Sequence, residues 1–405
     1  MLELTNKQKE YWKNANSRWN IKSGATRSGK TFLDYYLIPK RIRAVNGRDG
    51  LVIILGNTKG TLKRNIIEPL QKIWGSELVS DIKSDNTAYL FGEKVYCLGA
   101  DKINQVDKLR GSSIKYCYGD EVVTWHEEVF TMLKSRLDKS YSKFDGTCNP
   151  EGPNHWFKQF IDNKELEIYS QDYTIYDNPH NSSEFVRALE NEYKGTIFFD
   201  RYILGRWKHA EGIIYKRFAD DPERYYINQS KLPKLTEINI GVDFGGNGSN
   251  HAFVCSGIDS EYNLYALKSE SIPATGMDVD ALINELIIFV NTCRKQFGTI
   301  DGIYCDAAEQ TIINTIRNRL DDYSVYNSFK HEIIDRIRAL CVLIGSDKFK
   351  IVSGENEALV KGIAEAMWDS KSFGKDKRLD NGTTDIDILD AFEYSFERNI
   401  YYFGR

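Results

Sequence analysis

Two hydrophobic patterns divide the chain near its middle. In the first half, short continuous apolar runs alternate with stretches of helical period. Residues 51–55 (Leu-Val-Ile-Ile-Leu) form a run of the kind that is buried on both faces of a parallel sheet, and helical spacing follows through Ile73. Residues 88–91 and 94–98, parted by Gly92-Glu93, predict a hairpin. Two more strands are predicted at 114–118, ended by Gly119-Asp120-Glu121, and at 143–148, closed by Asn149-Pro150. Such alternation implies a mostly parallel α/β sheet. The second half reads differently: strand-like runs at 237–243, 251–258 and 263–269 joined by Gly- and Asn-rich turns, then an amphipathic helix over about 277–297, a strand at 299–306 and further helices. Hairpin order followed by helix–strand alternation predicts a mixed sheet. A polar segment containing Pro222 and Pro233 lies between the halves, so we expect domains at 1–210 and 235–405 joined by a linker at 211–234.

Composition supports two globular domains. The 405 residues are 41% hydrophobic and 28% charged, which excludes disordered and fibrous classes, and the chain is too long for one ordinary core. No apolar run approaches the ~18 residues that span a bilayer, and the N-terminus lacks the layout of a signal peptide. The net charge of −4 argues by itself against a nucleic-acid binder, but it averages two unlike halves. Residues 1–210 hold 32 Lys+Arg against 27 Asp+Glu, a net +5, and the remainder has 22 against 31, a net −9. Seven scattered cysteines without a C-x-x-C pair indicate neither a disulfide framework nor a zinc site; they read as buried thiols in a reducing compartment. The six histidines show no H-x-x-x-H spacing, so any metal should be held by carboxylates.

The segment Gly24-Ala-Thr-Arg27-Ser28-Gly29-Lys30-Thr31 matches G-x-x-x-x-G-K-[ST] at every fixed position. Such a loop curls so that its N–H groups meet phosphate at a helix N-terminus; Lys30 would reach the β/γ-phosphates and the Thr31 hydroxyl would ligate Mg²⁺. Asp120, at the end of an apolar strand, is placed to hold Mg²⁺ through water, and Glu121 beside it to polarise the attacking water. Together these imply ATP with Mg²⁺ and its hydrolysis. Arg27 either stabilises the transferring phosphate or touches only phosphate and solvent. Gln8 is an adenine partner or a solvated helix residue.

The acidic half offers a second centre. Asp243 and Asp306 end apolar strands, and Asp385, Asp387 and Asp390 open a helix, where 387 and 390 share a face. Carboxylates from two strands and a helix can converge on two Mg²⁺ or Mn²⁺ ions about 3.5–4 Å apart, the arrangement that cleaves phosphodiesters. Asp385 could instead cap the helix. Lys371, Lys375, Lys377 and Arg378 form either a solvated loop or a loop that grips phosphate.

These residues resemble the large terminase subunit of tailed bacteriophages, over nearly the whole chain. The resemblance rests on the loop 24–31, on Gly99-Ala-Asp101 through Lys108-Leu-Arg110-Gly111, and on Asp120-Glu121. It extends through Gly146-Thr147-Cys-Asn149-Pro150-Glu-Gly-Pro153-Asn-His155-Trp156, Gly205-Arg-Trp207 and Asp387-Ile-Leu-Asp390-Ala-Phe-Glu-Tyr394. It implies a P-loop ATPase domain and a ribonuclease H-like nuclease domain. Thr147 and Asn149 would sense the γ-phosphate and couple hydrolysis to movement, and Asp243, Asp306 and Asp390 would be the nuclease carboxylates; relatives that carry histidine at Asp387 leave that corner open. The resemblance further implies translocation of double-stranded DNA into a procapsid, cutting of concatemers, a small terminase subunit and a portal ring as partners, several copies on the portal with a monomer possible in solution, no membrane, and work in the cytoplasm of an infected bacterium. Two other functions fit parts of the pattern: a helicase-like or repair ATPase with an acidic binding module, and a ribonuclease H-like recombinase with an accessory ATPase.

Overall fold

The computed structural model describes residues 4–103, 111–246, 249–372, 376–381 and 385–403. Lys108, Arg110 and Lys375 therefore lie outside the described residues. Two compact units form, one from Met1–Val186 and Phe199–His209, the other mainly from Arg187–Phe198, Ala210–Ser372 and Asp376–Arg405.

The first unit is built on seven strands: β1 (Trp19–Gly24), β2 (Leu51–Gly56), β3 (Thr87–Leu90), β4 (Glu93–Gly99), β5 (Ile114–Gly119), β6 (Lys143–Cys148) and β7 (Ile168–Tyr173). Their order is β3-β4-β2-β5-β6-β1-β7, and only the β3–β4 hairpin is antiparallel. Alternation along β2 explains why the run is apolar throughout: Ile53 and Leu55 enter one core, with Trp19, Phe130 and Phe144, while Val52 and Ile54 enter the other, with Ile38, Ile42 and Leu70. Because β5, β6 and β1 are adjacent and parallel, their carboxyl ends emerge side by side.

The second unit has β8 (Tyr226–Ile227), β9 (Leu235–Asp243), β10 (Asn250–Asp259), β11 (Leu264–Pro273), β12 (Gly302–Cys305), β13 (Val325–Asn327) and β14 (Phe349–Val352). They are ordered β13-β12-β9-β10-β11-β14-β8, antiparallel only at β9–β10 and β10–β11. Part of the segment 211–234 joins this sheet, since β8 pairs with β14. Ile240 and Val242 pack toward the helix Val279–Phe297 through Leu286, Phe289 and Val290. Gly241, on the opposite face, meets the helix Ile386–Phe396: a Cβ there would fall 1.8 Å from the Ala391 carbonyl oxygen. Only glycine admits that approach, and it brings the helix against the strand that ends in Asp243.

All seven cysteines are buried and unbridged. Among the described residues, no helix is long and apolar enough to cross a membrane.

Candidate nucleotide and carboxylate sites

The loop from Gly24 to Gly29 links β1 to the helix Lys30–Val45. Gly29 stands at its N-cap in the left-handed region (φ 85°) and no side chain caps the helix, so its first N–H groups point at the loop's concave side. Lys30 is buried among acceptors: its ammonium donates to the Gly24 carbonyl at 2.8 Å, the Ala25 carbonyl at 2.5 Å, Ser28 Oγ at 3.3 Å and Asn149 Oδ1 at 3.2 Å. Burial lowers its pKa to about 8. Thr31 follows in the first helical turn. Arg27 is exposed and left-handed (φ 56°), and its carbonyl accepts from the amides of Asn178 and Asn181.

Asp120 follows β5 and is buried; burial first, then the Glu121 charge, raises its carboxyl to about 6. Its Oδ1 accepts from Thr147 Oγ1 at 3.2 Å. Glu121 takes the left-handed conformation (φ 50°) that turns the chain off the strand. Thus Asn149 meets Lys30 and Thr147 meets Asp120, which joins all three strand ends at one edge. Gln8 lies beside them: its Oε1 accepts from the Thr5 N–H to close a capping box, and its Nε2 donates to the Gly29 carbonyl at 3.0 Å.

A brace that sequence reasoning missed lies beneath the loop. Lys22 of β1 and Asp34 of the following helix form a fully buried ion pair at 2.7 Å; Tyr118 OH donates to Asp34 at 3.1 Å, and the Lys22 ammonium sits 4.2 Å from the Tyr11 ring centroid. The strand, Trp-Asn-Ile-Lys-Ser-Gly, mixes polar and apolar residues, so its lysine did not stand out.

In the second unit, β12 runs parallel to β9 with Cys305 opposite Val242, so Asp306 and Asp243 leave the sheet together; Asp306 N–H donates to the Val242 carbonyl at 3.0 Å. Alternation puts Asp243 on the face of Gly241, toward the helix that carries Asp387 and Asp390. The convergence is felt electrostatically. Burial, then the charges of Asp390, Asp387 and Asp306, push the Asp243 carboxyl up to about 8. Asp387 is also raised, chiefly by burial, and accepts from the Asn250 N–H at 2.8 Å. Asp385 caps the helix by accepting from the Ile388 N–H and also takes the Asn250 amide.

Basic partners hold two of the four carboxylates. Lys330 pairs with Asp306, and Arg336 and Arg378 both reach Asp390 Oδ1 while flanking the fully buried Glu393. Arg378, in the stretch read as solvated or phosphate-gripping, therefore turns inward. Glu393, a carboxylate amid Leu389, Ala391 and Phe392, was the clue to these partners; Lys330 had none. Among the described residues no three acidic, His or Cys side chains are spaced as a metal cage. The donor chemistry is all carboxylate, which suits hard, oxygen-seeking cations such as Mg²⁺ and Mn²⁺.

Comparison with known proteins accords with this picture. The chain matches no curated protein. Along 100% of both chains it is similar to the large terminase from a thermophilic bacteriophage, at 24% identity and a TM-score of 0.84. The complex of that phage's large terminase with ADP gives 24% and 0.81, and that with ATP-gamma-S gives 22% and 0.79, each over 98% of this chain and 100% of that one. Residues 21–219 match the family model for the terminase large subunit, T4likevirus-type, N-terminal. Residues 21–219 thus carry the family's N-terminal pattern, and the whole chain shares its fold with the thermophilic phage's large terminase.

Proposed function

We propose that the chain is the catalytic subunit of a DNA-packaging motor, with an ATPase domain at 1–210, a linker at 211–234 and a nuclease domain at 235–405. The first hydrolyses ATP to drive double-stranded DNA into a procapsid; the second cuts concatemers by two-metal hydrolysis. The observation that carries the reading is the pair of contacts Lys30–Asn149 and Asp120–Thr147, which tie the phosphate loop and the strand-end acid to one strand.

At the first site, the uncapped helix and Lys30 bind phosphate, Thr31 and Asp120 would hold Mg²⁺, and Glu121 orients water. Lys30 trades its Asn149 contact for phosphate, and Asn149 is thereby freed or re-engaged with each turnover. The complexes of the thermophilic phage's terminase with ADP and ATP-gamma-S support a nucleotide here. At the second site, Asp243, Asp306, Asp387 and Asp390 would hold two Mg²⁺ or Mn²⁺, giving up Lys330 and guanidinium contacts in exchange. Bound cations supply an activated water and stabilise the leaving oxygen. A small terminase subunit and a portal ring carrying several copies complete the assembly, in the cytoplasm of the infected host.

ATP turnover and plasmid cutting, with metal and ATP varied independently, test both sites. Glu121→Ala should lower ATP turnover at least ~100-fold while metal-dependent cutting persists. Asp243→Ala and Asp306→Ala should do the reverse. Retained turnover in the first variant rejects Glu121 as the base, and undiminished cutting in the other two rejects the carboxylate centre.

A further inference from the structure

The loop after β13 is pinned in an unusual way. Three successive backbone N–H groups, of Phe329, Lys330 and His331, donate to the Glu397 carboxylate at 2.6, 3.1 and 3.2 Å, and Glu397 is itself fully buried. Lys330 is left-handed (φ 51°), which lets the three N–H groups converge as an anion nest. Ser328 N–H continues the sheet by donating to the Cys305 carbonyl, one residue before Asp306. Held this way, the loop puts the Lys330 ammonium against Asp306 and leaves Phe329 58% exposed.

Phe329 is not isolated. Its ring lies parallel to that of His331 (6.1 Å, 5°) and near that of the buried Tyr304 (6.2 Å), on which the half-exposed Tyr326 stacks (5.4 Å, 24°). Arg398, partly exposed, donates to Tyr304 OH. The exposed rings of Phe329 and Tyr326, bridged by the buried Tyr304 and with Lys330 and Arg398 beside them, begin one ion pair away from a carboxylate of the proposed cleavage centre and have the chemistry of a surface that binds a nucleic-acid strand: faces for bases and cations for phosphates. Lys330 pairs with Asp306 and Arg398 with Glu237, yet both basic side chains stay part-exposed and open to a phosphate beside these carboxylates.

We infer that the loop 328–332, held by Glu397, is a strand-binding element of the nuclease half, with Phe329 as a stacking platform for an unpaired base beside the scissile phosphate and Lys330 as a phosphate contact. The inference rests on the nuclease reading. It assigns the patch to single-stranded or locally unpaired DNA, because a base inside a duplex offers no free face.

Fluorescence anisotropy of the full chain with labelled oligonucleotides, in EDTA so that nothing is cut, tests it. Phe329→Ala should raise the Kd for single-stranded DNA about tenfold, leave duplex binding and the melting temperature unchanged, and be rescued by Phe329→Trp. Lys330→Ala should weaken binding of every sequence alike and reduce the slope of log affinity against log salt by about one. Unchanged single-strand affinity in Phe329→Ala would overturn the inference and leave the patch to a protein contact; an equal loss for duplex would overturn base stacking. Plasmid cutting by the wild-type chain is measured alongside. Its absence with every divalent metal would remove the nuclease reading, whereas the anisotropy still decides whether the loop holds a strand.

Discussion

On the proposed reading, a proton and a cation would compete for the Asp243 carboxylate. Its folded pKa is about 8, raised by burial and then by Asp390, Asp387 and Asp306, whereas an unfolded aspartate titrates near 4. Between those values the folded, chelator-treated chain binds a proton that the unfolded chain has released. Its contribution to stability is complete below about pH 4 and is lost as pH rises through about 8. In EDTA, therefore, the melting temperature should fall from about pH 5 to pH 8, and Asp243→Asn should flatten that slope. Parallel thermal-denaturation curves for the two proteins would mean that the four carboxylates do not interact. The same residue shows what sequence could and could not reveal. Asp243 and Asp306 were legible because each stands where an apolar run stops, and Asp390 because it shares a helix face with Asp387. Their cations were not: Arg336 precedes Asp390 by 54 residues and Arg378 by 12, and no spacing rule connects them.

Among elements, the helix Ile386–Phe396 and strand β9 depend on each other through Gly241. Any side chain there must displace the Ala391 backbone, next to Asp390. Gly241→Ala should destabilise the second unit by ~3 kcal/mol, read from its urea midpoint, and lower plasmid cutting about a hundredfold by shifting Asp390, a proposed metal ligand. ATP turnover should persist; a wild-type cutting rate would show that the close approach is not required. The long central strands were readable from continuous apolar runs because both of their faces are buried. β7 (Ile-Tyr-Ser-Gln-Asp-Tyr) escaped notice because it is a sheet edge with polar residues on its outer positions, and β8 and β13 are too short to carry a period. The strand expected at 299–306 shortens to Gly302–Cys305; Asp301 still donates its N–H to the Ile238 carbonyl, but its carboxylate, not a backbone carbonyl, takes the Ile238 N–H.

For the whole molecule, the split into a basic and an acidic half was visible in sequence, but the packing of Arg187–Phe198 with the second unit was not. That union depends on close backbone approach, with Gly345 against Glu192, and on Arg217 donating to the carbonyls of Asn191 and Gly345. Neither leaves a pattern in composition. The overall charge of −4 likewise concealed local cations such as Lys330, which act within a few ångströms whatever the total. The buried cysteines have a practical consequence. Burial pushes the thiols of Cys97, Cys148 and Cys305 up to about 12, so thiolate is scarce and reagent access is blocked. A chromogenic disulfide reagent should titrate no fast thiol in the native chain and all seven after denaturation; a rapid native reaction would disprove this. A single cysteine introduced at the exposed Tyr401 would then outpace the natural seven, so a dye could be placed on the native protein without first stripping it of its own sulfur.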